Sequence, residues 1–417
     1  MVNGMIKLIY AILLIPIGLP CQNVKFLNEL RCSHSIDVQL MLLTNHYKEA
    51  LKCVDENDIE IINTLKLDDN VVFYSADSFI YDKAKTNKIL CFNELHHYPG
   101  SRIFLFSILD SLVKLGYKDI ALEDISHNNT INSSTKIGYK DGFYIEELFY
   151  SILVRKCQML KITVHPYEAS KQYWYSKRDE KGVLIEEKDT INNFFKKYEY
   201  DENGNLVNII TNAVFHRERE QAENLAKIYP KIKDKLIIFA GVGHIYEGNS
   251  RSMISLLKSQ TGLDPITFDL TCLTEKSKTT FEDTIYRNLK LNRPSIININ
   301  GKNYNGFNLT DYSIAMPRYV GDCHIDTTLY SLGRYDYVLN EKHYIDKLKY
   351  PIICSAFRFG DNEDSIPFYT LEIINDKSSK TLLLPYGNYN FVLKDYYGSR
   401  VNFKDSVLNG KPSKNGK

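Results

Sequence analysis

The stretch Lys88-Ile-Leu-Cys-Phe-Asn-Glu-Leu-His-His97 places a carboxylate and two histidines at the point where a short apolar run ends. Three more apolar runs end in polar residues: Asp119-Ile-Ala-Leu-Glu123, Ile162-Thr-Val-His-Pro-Tyr-Glu168 and Lys235-Leu-Ile-Ile-Phe-Ala-Gly-Val-Gly-His244. Strands that alternate with helices predict a parallel sheet, and the carboxyl ends of its strands share one edge, beside which ligands bind. The sequence therefore predicts an α/β fold with a central, mostly parallel sheet, flanking helices and a functional site at that edge.

Changes in periodicity divide the rest of the chain. Residues 22–85 carry apolar residues at three- and four-residue steps and predict a helical hairpin, and residues 86–275 predict the α/β domain. Residues 169–212 interrupt this domain with a turn-forming Asp-Glu-Asn-Gly-Asn run, which predicts a hairpin insertion at the active edge. Residues 285–408 alternate in steps of two and predict a β-rich, sandwich-like C-terminal module, while residues 409–417 predict a disordered tail.

Residues 1–21 have the pattern of a signal peptide. Lys7 precedes the apolar stretch Leu8–Leu19, which is long enough for a signal-peptide core and too short to span a bilayer. Cys21 stands where a bacterial lipoprotein would be acylated, although Pro20 departs from the small residue usual before such a cysteine. We expect an exported bacterial protein, either periplasmic or anchored at the cell envelope through lipidated Cys21.

Charge and cysteine usage narrow the class of partner. The chain has 52 basic and 51 acidic residues, and no basic run with interleaved aromatics, so we expect no nucleic-acid partner. A small-molecule or peptide substrate is expected instead, and the oligomeric state is left open. Eight cysteines in 417 residues do not make a disulfide scaffold, but Cys32 and Cys53 flank a helical pattern and would pair in an oxidising compartment.

The strand-end residues suit acid–base chemistry. Glu94 and His96 lie two apart, so both side chains can turn toward one crevice, and histidine is the commonest general base and a common metal ligand. Glu123 would act beside them, or would serve only as a helix cap or ion-pair partner. The Gly-x-Gly before His244 lacks the third glycine of a dinucleotide site, because Tyr246 stands there. A helix N-terminus at His244 would lower the pKa of its imidazole.

A charged helix supplies the next candidate. Arg217, Gln221 and Asn224 share one helical face. Facing inward, Arg217 would clamp a carboxylate or stabilise an oxyanion; facing outward, it would belong to an ordinary charged surface. The chain has neither a Gly-x-Ser-x-Gly elbow nor an HExxH motif, which argues against a serine nucleophile and a zincin-type metalloprotease.

The chain resembles a known superfamily in four motifs and in their order. They are Glu94-x-His96, a strand ending in Glu123, an Arg-Glu-Arg-Glu-Gln-Ala-Glu-Asn helix and Gly-Val-Gly-His244. The superfamily comprises the erythromycin esterase-like, ChaN haem-binding-uptake, Tiki and TraB proteins, and the resemblance covers residues 86–270. Asn93 stands where the superfamily usually has glycine. The resemblance implies that the functional residues are Glu94, His96, Glu123, Arg217 and His244.

The resemblance leaves three chemistries open. Esterase-like members hydrolyse esters with histidine-activated water, Tiki-like members are metal-dependent proteases, and ChaN-like members bind haem iron. We expect a hydrolase that cleaves an ester or amide bond, with His96 or His244 as general base and Arg217 stabilising negative charge. Glu94 and Glu123 would orient the histidines or hold a metal.

The same three chemistries predict the possible cofactors and the residues around the substrate. Mn, Co or Zn would be held by His96, Glu123 and His244, and haem iron by Tyr167 or His97 at the mouth of the cleft. Residues expected around the substrate are His97, Tyr167, Glu168 and Glu218. The rival functions are a haem- or iron-binding surface lipoprotein for uptake and a non-catalytic surface protein that binds a partner or glycan.

Overall fold

A computed structural model describes residues 25–30, 35–53, 71–170, 187–189, 194–200, 202, 206–274, 291–305, 308–318, 324–339, 342–361 and 363–408. The expected signal peptide and C-terminal tail lie outside these residues. At the centre is a six-stranded sheet in which every neighbouring pair is parallel, flanked by helices and accompanied by antiparallel sheets. The predicted α/β class with a central parallel sheet is therefore confirmed.

The order of strands in this sheet decides which loops meet. In spatial order the strands are Tyr312–Ser313 (β12), Ile266–Asp269 (β9), Ile89–Glu94 (β2), Lys235–Gly241 (β8), Tyr117–Leu122 (β3) and Thr163–Pro166 (β4). Strands β2 and β3 are not neighbours, because β8 lies between them. The residues that follow β8 are thus placed between those that follow β2 and β3.

Helices cover both faces of the sheet. They are Ala76–Thr86 (α3), Gly100–Lys114 (α4), Leu148–Met159 (α5), Ala213–Ile228 (α6) and Met253–Thr261 (α7). Alternate residues of β2 enter different cores: Ile89 and Cys91 pack on the side of α6 and α7, whereas Leu90 and Phe92 pack on the side of α4. Burial on both faces explains why the strands are continuous apolar runs.

Two short helices precede the sheet, Ser35–Leu43 (α1) and Tyr47–Lys52 (α2), with a reversal at Asn45, whose φ is 64°. Their apolar residues join the core on the α6 side. Cys53 is disulfide-bonded, and its expected partner Cys32 lies outside the described residues, as do residues 54–70 of the predicted helical segment. Four other cysteines of the described residues are buried and form no disulfide: Cys91, Cys157, Cys272 and Cys354.

The predicted insertion contains an antiparallel sheet of three strands. They are Glu187–Asp189 (β5), Phe194–Tyr200 (β6) and Leu206–Thr211 (β7). Strands β6 and β7 form a hairpin whose connection is the turn-forming run between them. This sheet stands between β4 and α6 in the chain, as the interruption of the periodicity indicated.

The segment after the α/β domain differs from the expectation of one separate module over residues 285–408. Strands Val71–Ser75 (β1), Ser295–Ile299 (β10) and Lys302–Asn303 (β11) form a three-stranded antiparallel sheet, and β12 extends the central sheet. Strand β10 therefore pairs with β1, which precedes the predicted α/β domain, and β12 pairs with β9 of the central sheet. Their short alternating pattern fits an edge strand as well as a sandwich, so the sequence alone did not assign them.

The remaining C-terminal elements form two further antiparallel sheets. One pairs Tyr335–Val338 (β13) with Thr381–Leu384 (β16); the other has the order Tyr369–Ile373 (β15), Ile352–Arg358 (β14), Gly387–Asp395 (β17) and Arg400–Val407 (β18). Helices His324–Ser331 (α8) and Lys342–Ile345 (α9) accompany them. The ring of Tyr337 stacks on Phe391 with centroids 4.5 Å apart, which joins the two sheets. Within the described ranges, no helix has the length and apolar character needed to cross a membrane.

Asn93 ties the central strand β2 to the end of β9. Its buried side chain donates from Nδ2 to Asp269 Oδ1 at 3.0 Å and to Thr271 Oγ1 at 3.3 Å. Its Oδ1 accepts the backbone N–H of Leu270 at 2.7 Å. Asn93 thus pairs with the buried Leu270 N–H, which glycine at this position would leave unpaired.

Replacing Asn93 by glycine should lower the free energy of unfolding by about 1–3 kcal/mol, because the Leu270 N–H and the Asp269 carboxylate lose a buried partner. Urea unfolding followed by circular dichroism measures the loss. Asn128→Gly, at an exposed position, is the control and should change stability by less than about 0.5 kcal/mol. Equal losses in the two variants would contradict this role of Asn93.

Candidate active site

Five carboxylates, two arginines and two histidines meet at the carboxyl edge of the central sheet. All are buried, and the carboxylates and arginines are at most 6% exposed: Glu94, Glu123, Glu147, Glu168, Glu218, Arg102, Arg217, His96 and His244. Buried charges are stable only when they are paired and hydrogen-bonded. The cluster consists of two such ionic groups, one around each arginine.

Arg102 of α4 organises the first group. Its Nε donates to Glu94 Oε2 at 2.5 Å, its Nη2 to Glu94 Oε1 at 3.0 Å and its Nη1 to Glu147 Oε2 at 2.8 Å. Glu147 also accepts from the backbone N–H of Tyr150 at 2.8 Å and so caps α5. That helix begins at Leu148. Burial acts to raise the pKa of Glu94, but the charge of Arg102 and the bond to His96 outweigh it and lower the pKa.

His96 has one ring nitrogen engaged and the other unpartnered. Its Nδ1 lies 3.0 Å from Glu94 Oε1, and its ring stacks on Tyr144 with centroids 4.0 Å apart and planes inclined by 17°. Its buried Nε2 has no hydrogen-bond partner among the described residues. A Cβ at Gly241 would lie 2.9 Å from this Nε2 and 3.0 Å from Glu123 Oε2, so the two atoms converge on the glycine backbone.

Arg217 of α6 organises the second group. Its Nε donates to Glu168 Oε1 at 2.7 Å, and its Nη2 donates at 2.5 Å both to Glu168 Oε2 and to Glu123 Oε1. Gln221 and Asn224 lie on the same face and also contact Glu168, through its carboxylate and its backbone carbonyl respectively. Arg217 faces inward, but it clamps the protein's own carboxylates. Its donors are therefore not directed at a substrate oxyanion.

Both ring nitrogens of His244 face carboxylates. Nδ1 lies 2.7 Å from Glu218 Oε1, and Nε2 lies 3.2 Å from Glu123 Oε1 and 3.0 Å from Arg217 Nη1. The other oxygen of Glu218 accepts the backbone N–H of Met253, at the start of α7, at 2.6 Å. Burial acts to lower the pKa of His244, but the charges of Glu218 and Glu123 outweigh it and raise the pKa to about 10. The lowered pKa that we predicted is wrong, because α7 begins at Met253 and the carboxylates dominate.

Asp124 was not predicted, and it holds the residue that covers His96. It follows Glu123 with a φ of 62°, and its Oδ2 accepts the backbone N–H groups of Phe143 at 2.5 Å and Tyr144 at 2.8 Å. Burial and the charge of Glu168 outweigh these two bonds and raise its pKa to about 8. Asp124 thus fixes the segment that presents the Tyr144 ring to His96.

Arg102 and Glu147 were also missed by the sequence analysis. The sequence did offer one indication for Arg102. It is a lone charge that directly precedes the apolar run Ile103-Phe-Leu-Phe-Ser-Ile-Leu109. A charge among residues that must be buried needs a partner, and Glu94, eight residues earlier, is that partner.

The structure places two of the other candidates differently from the expectation. Tyr167 is fully buried and its hydroxyl donates to the backbone carbonyl of Phe239 at 3.1 Å, so it does not stand at a cleft mouth as a haem ligand. His97 is likewise buried. His165 pairs with Asp119 at 2.7 Å, apart from the cluster.

The donor set does not fit a metal ion. In the part of the chain that the structure describes, no group of three or more His, Cys, Asp or Glu side chains is arranged to hold one. Arg217 lies between Glu123 and Glu168 and 3.0 Å from His244 Nε2, so its positive charge stands where a cation would have to bind. The predicted trio of His96, Glu123 and His244 therefore does not form a metal site.

Fold and site together define a class: a mixed α/β protein whose parallel sheet carries a buried Glu–His–Arg cluster at its carboxyl edge. No protein-family model and no curated protein matches the chain. Among solved structures, that of the type III effector HopBA1 is similar, with 11% sequence identity and a TM-score of 0.30, covering 52% of this chain and 98% of that chain. A TM-score this low does not indicate a shared fold.

The pKa of His244 predicts how stability changes with pH. Because the folded pKa is raised from 6.5 to about 10, the charged form stabilises the protein below pH 6.5, and this contribution is lost as pH rises toward 10. The loss should be roughly 1.4 kcal/mol per pH unit in that window. Urea unfolding across this range should show that the stability difference between wild type and His244→Gln shrinks with pH. A constant difference for His244→Gln would refute the assignment.

The metal content of the purified protein should be well below one equivalent of Mn, Co or Zn per chain, because Arg217 stands in the place of a cation. Elemental analysis of the wild type and of His96→Ala measures this content. One equivalent that disappears in His96→Ala would overturn the interpretation of the donor set.

Proposed function

We propose that this protein is a hydrolase that cleaves an ester or amide bond with water activated by His96. The proposal rests on the hydrogen bonding of the His96 ring. Its Nδ1 is fixed by Glu94 at 3.0 Å, whereas its buried Nε2 has no hydrogen-bond partner among the described residues. A histidine oriented by a carboxylate on one side and open on the other is the arrangement of a general base.

In the proposed reaction, a water molecule lies beside Nε2 and Glu123 Oε2, which converge on Gly241. The water oxygen attacks the carbonyl carbon while Nε2 takes its proton, and Glu94 stabilises the imidazolium through Nδ1–H. The tetrahedral intermediate then collapses, the bond to the leaving group breaks, and Nε2 returns the proton to the leaving oxygen or nitrogen. The carboxylic acid product carries the oxygen of the water.

The other members of the cluster act as positioning residues in this scheme. His244 is not the base, because both its nitrogens face carboxylates. Arg102 orients Glu94, and Arg217 orients Glu123, so Arg217 does not stabilise the oxyanion as the sequence suggested. His96 is 4% exposed, so substrate access requires the covering Tyr144 segment to move away.

We place the protein among distant relatives of the erythromycin esterase-like, ChaN, Tiki and TraB superfamily. Support comes from Glu94, His96, Glu123, Arg217 and His244, which lie together in the cluster. Metal-free, esterase-like chemistry is favoured over Tiki-like metalloprotease chemistry because Arg217 stands between the carboxylates, and over haem binding because Tyr167 is buried.

We also propose that the protein is exported to the bacterial cell envelope. The apolar stretch Leu8–Leu19 supports a signal peptide, and lipidation of Cys21 would anchor the mature chain. The disulfide at Cys53 adds support, because structural disulfides persist mainly in oxidising compartments.

His96→Gln should lower the kcat for hydrolysis of p-nitrophenyl butyrate by about 10²–10⁴-fold, the usual contribution of a general base. Glu94→Gln should lower kcat by a smaller factor, since His96 itself remains; it also removes one of the two charges that compensate Arg102, so its folding is checked alongside. His165→Gln is a matched control: it alters another histidine that pairs with a carboxylate, at 2.7 Å from Asp119, and should keep full activity.

A second variant tests the geometry without removing any functional group. Gly241→Ala would place a Cβ within 3.0 Å of both His96 Nε2 and Glu123 Oε2, so it should reduce kcat at least tenfold. Far-UV circular dichroism checks that the variants are folded. If esters and anilides are hydrolysed equally by wild type and His96→Gln, the cluster is a structural ionic core and the non-catalytic alternative holds.

A further inference from the structure

A cavity lies away from the Glu–His–Arg cluster and shares none of its residues. It has a volume of about 620 Å³, within the range of 300–1,000 Å³ typical of small-molecule sites. Its walls are loop 131–135, the last turns of α5, the start of β4, and Phe368 from the segment before β15. The loop leads into Ile137, whose carbonyl accepts the N–H of Ile366, so the cavity lies where the α/β unit meets the C-terminal sheets.

Arg155 of α5 lines this cavity with an incompletely paired guanidinium group. Its Nη2 donates to the backbone carbonyl of Ile366 at 2.7 Å, and its Cζ lies 4.0 Å from the ring centroid of Phe368. Its Nη1 is buried and has no hydrogen-bond partner among the described residues. A guanidinium carries five N–H donors, two of them on Nη1, and leaving them buried and unpaired is costly.

The charges around Arg155 reinforce this conclusion. Burial and the nearby positive charge of Arg334 lower the pKa of Arg155 to about 9, and the charge of Asp361 offsets this only in part. Asp361 itself also faces Lys136, whose Nζ lies 4.0 Å from its carboxylate. The site therefore holds a positive charge for which the described residues supply too little negative charge.

The rest of the lining suits a ligand with one anionic and one apolar part. Besides Arg155, Lys161 contributes a second cation, and the described lining residues include no carboxylate. The hydroxyl side chains are those of Ser133, Ser134, Thr135 and Thr163, and the apolar ones are those of Ile131, Met159, Ile162 and Phe368. Met159 is 77% exposed at the end of α5.

The cavity is also held in shape before any ligand binds. Gln158 Nε2 donates to the carbonyls of Ile131 at 3.0 Å and Ser134 at 2.8 Å, which fixes the loop to α5. The Asn132 side chain exchanges two hydrogen bonds of 2.8 Å with the backbone of Val164 in β4. A preformed site loses less conformational entropy when a ligand binds.

We propose that this cavity binds a small amphipathic organic anion, whose carboxylate or phosphate pairs with Arg155 and whose apolar body lies against Phe368 and Met159. The charge of the anion compensates that of the Arg155 guanidinium, whose buried Nη1 has no hydrogen-bond partner among the described residues. The cavity volume limits the ligand to a small molecule.

Isothermal titration calorimetry of the full chain with phenyl phosphate, benzoate and neutral benzamide tests the proposal. At least one of the two anions should bind with a Kd at least tenfold below that of benzamide. The anion with the lower Kd identifies the head group as phosphate or carboxylate. Inorganic phosphate should bind more weakly than phenyl phosphate, because it lacks the apolar body.

Arg155→Met, which keeps the length of the side chain without its charge, should weaken binding of the preferred anion at least tenfold. Thr135→Glu places a negative charge on an exposed part of the wall and should do the same, so the test does not depend on how Arg155→Met folds. Lys140→Met removes an exposed cation outside the lining and should leave the Kd unchanged. Equal affinity for benzoate, phenyl phosphate and benzamide, or an unchanged Kd in Thr135→Glu, would overturn the proposal.

Discussion

Two buried guanidinium groups, each held between two carboxylates, are the interaction on which the rest of the structure depends. Arg102 links the end of β2 to the start of α5, and Arg217 links the ends of β3 and β4 to α6. Loss of one partner from such a buried pair typically costs about 3–5 kcal/mol, because a charge is left without compensation. The helices on both faces of the sheet are therefore held in place relative to the strand ends by charge pairing as well as by apolar packing.

The same ion pairing gives the two histidines of the cluster different surroundings. His244 is enclosed by Glu218 and Glu123, which stabilise its charge from both sides of the ring. His96 has Glu94 on one side only, and the Tyr144 ring fixes its plane. One imidazole thus completes the ionic core, while the other keeps an atom available for chemistry. The ring that covers it is held in turn by a carboxyl with a raised pKa, that of Asp124.

The sequence predicted structure well where the role of a residue follows from its immediate neighbours in the chain. Apolar runs that end in Glu94, Glu123, Glu168 and His244 indicated both the strands and their shared edge. It was less informative where a residue's role depends on distant partners. Arg102 reads as part of a helix until its contact with Glu147 is known, and the pKa of His244 depends on Glu218, which is 26 residues away in the chain. Strands β10 and β12 were assigned to the wrong unit because pairing partners, not local patterns, decide where short strands lie.

The position of β8 between β2 and β3 has a consequence for biosynthesis. When β3 leaves the ribosome, the strand that must stand between it and β2 has yet to be translated, together with the insertion and α6 that precede it. Until then the carboxylates at the ends of β2 and β3 cannot be sealed from water, because Gly241 and the loop after it form part of their enclosure. A nascent chain therefore carries its charged cluster in an open, hydrated state, and late pairing across a long chain separation makes closure of the sheet a slow step in maturation.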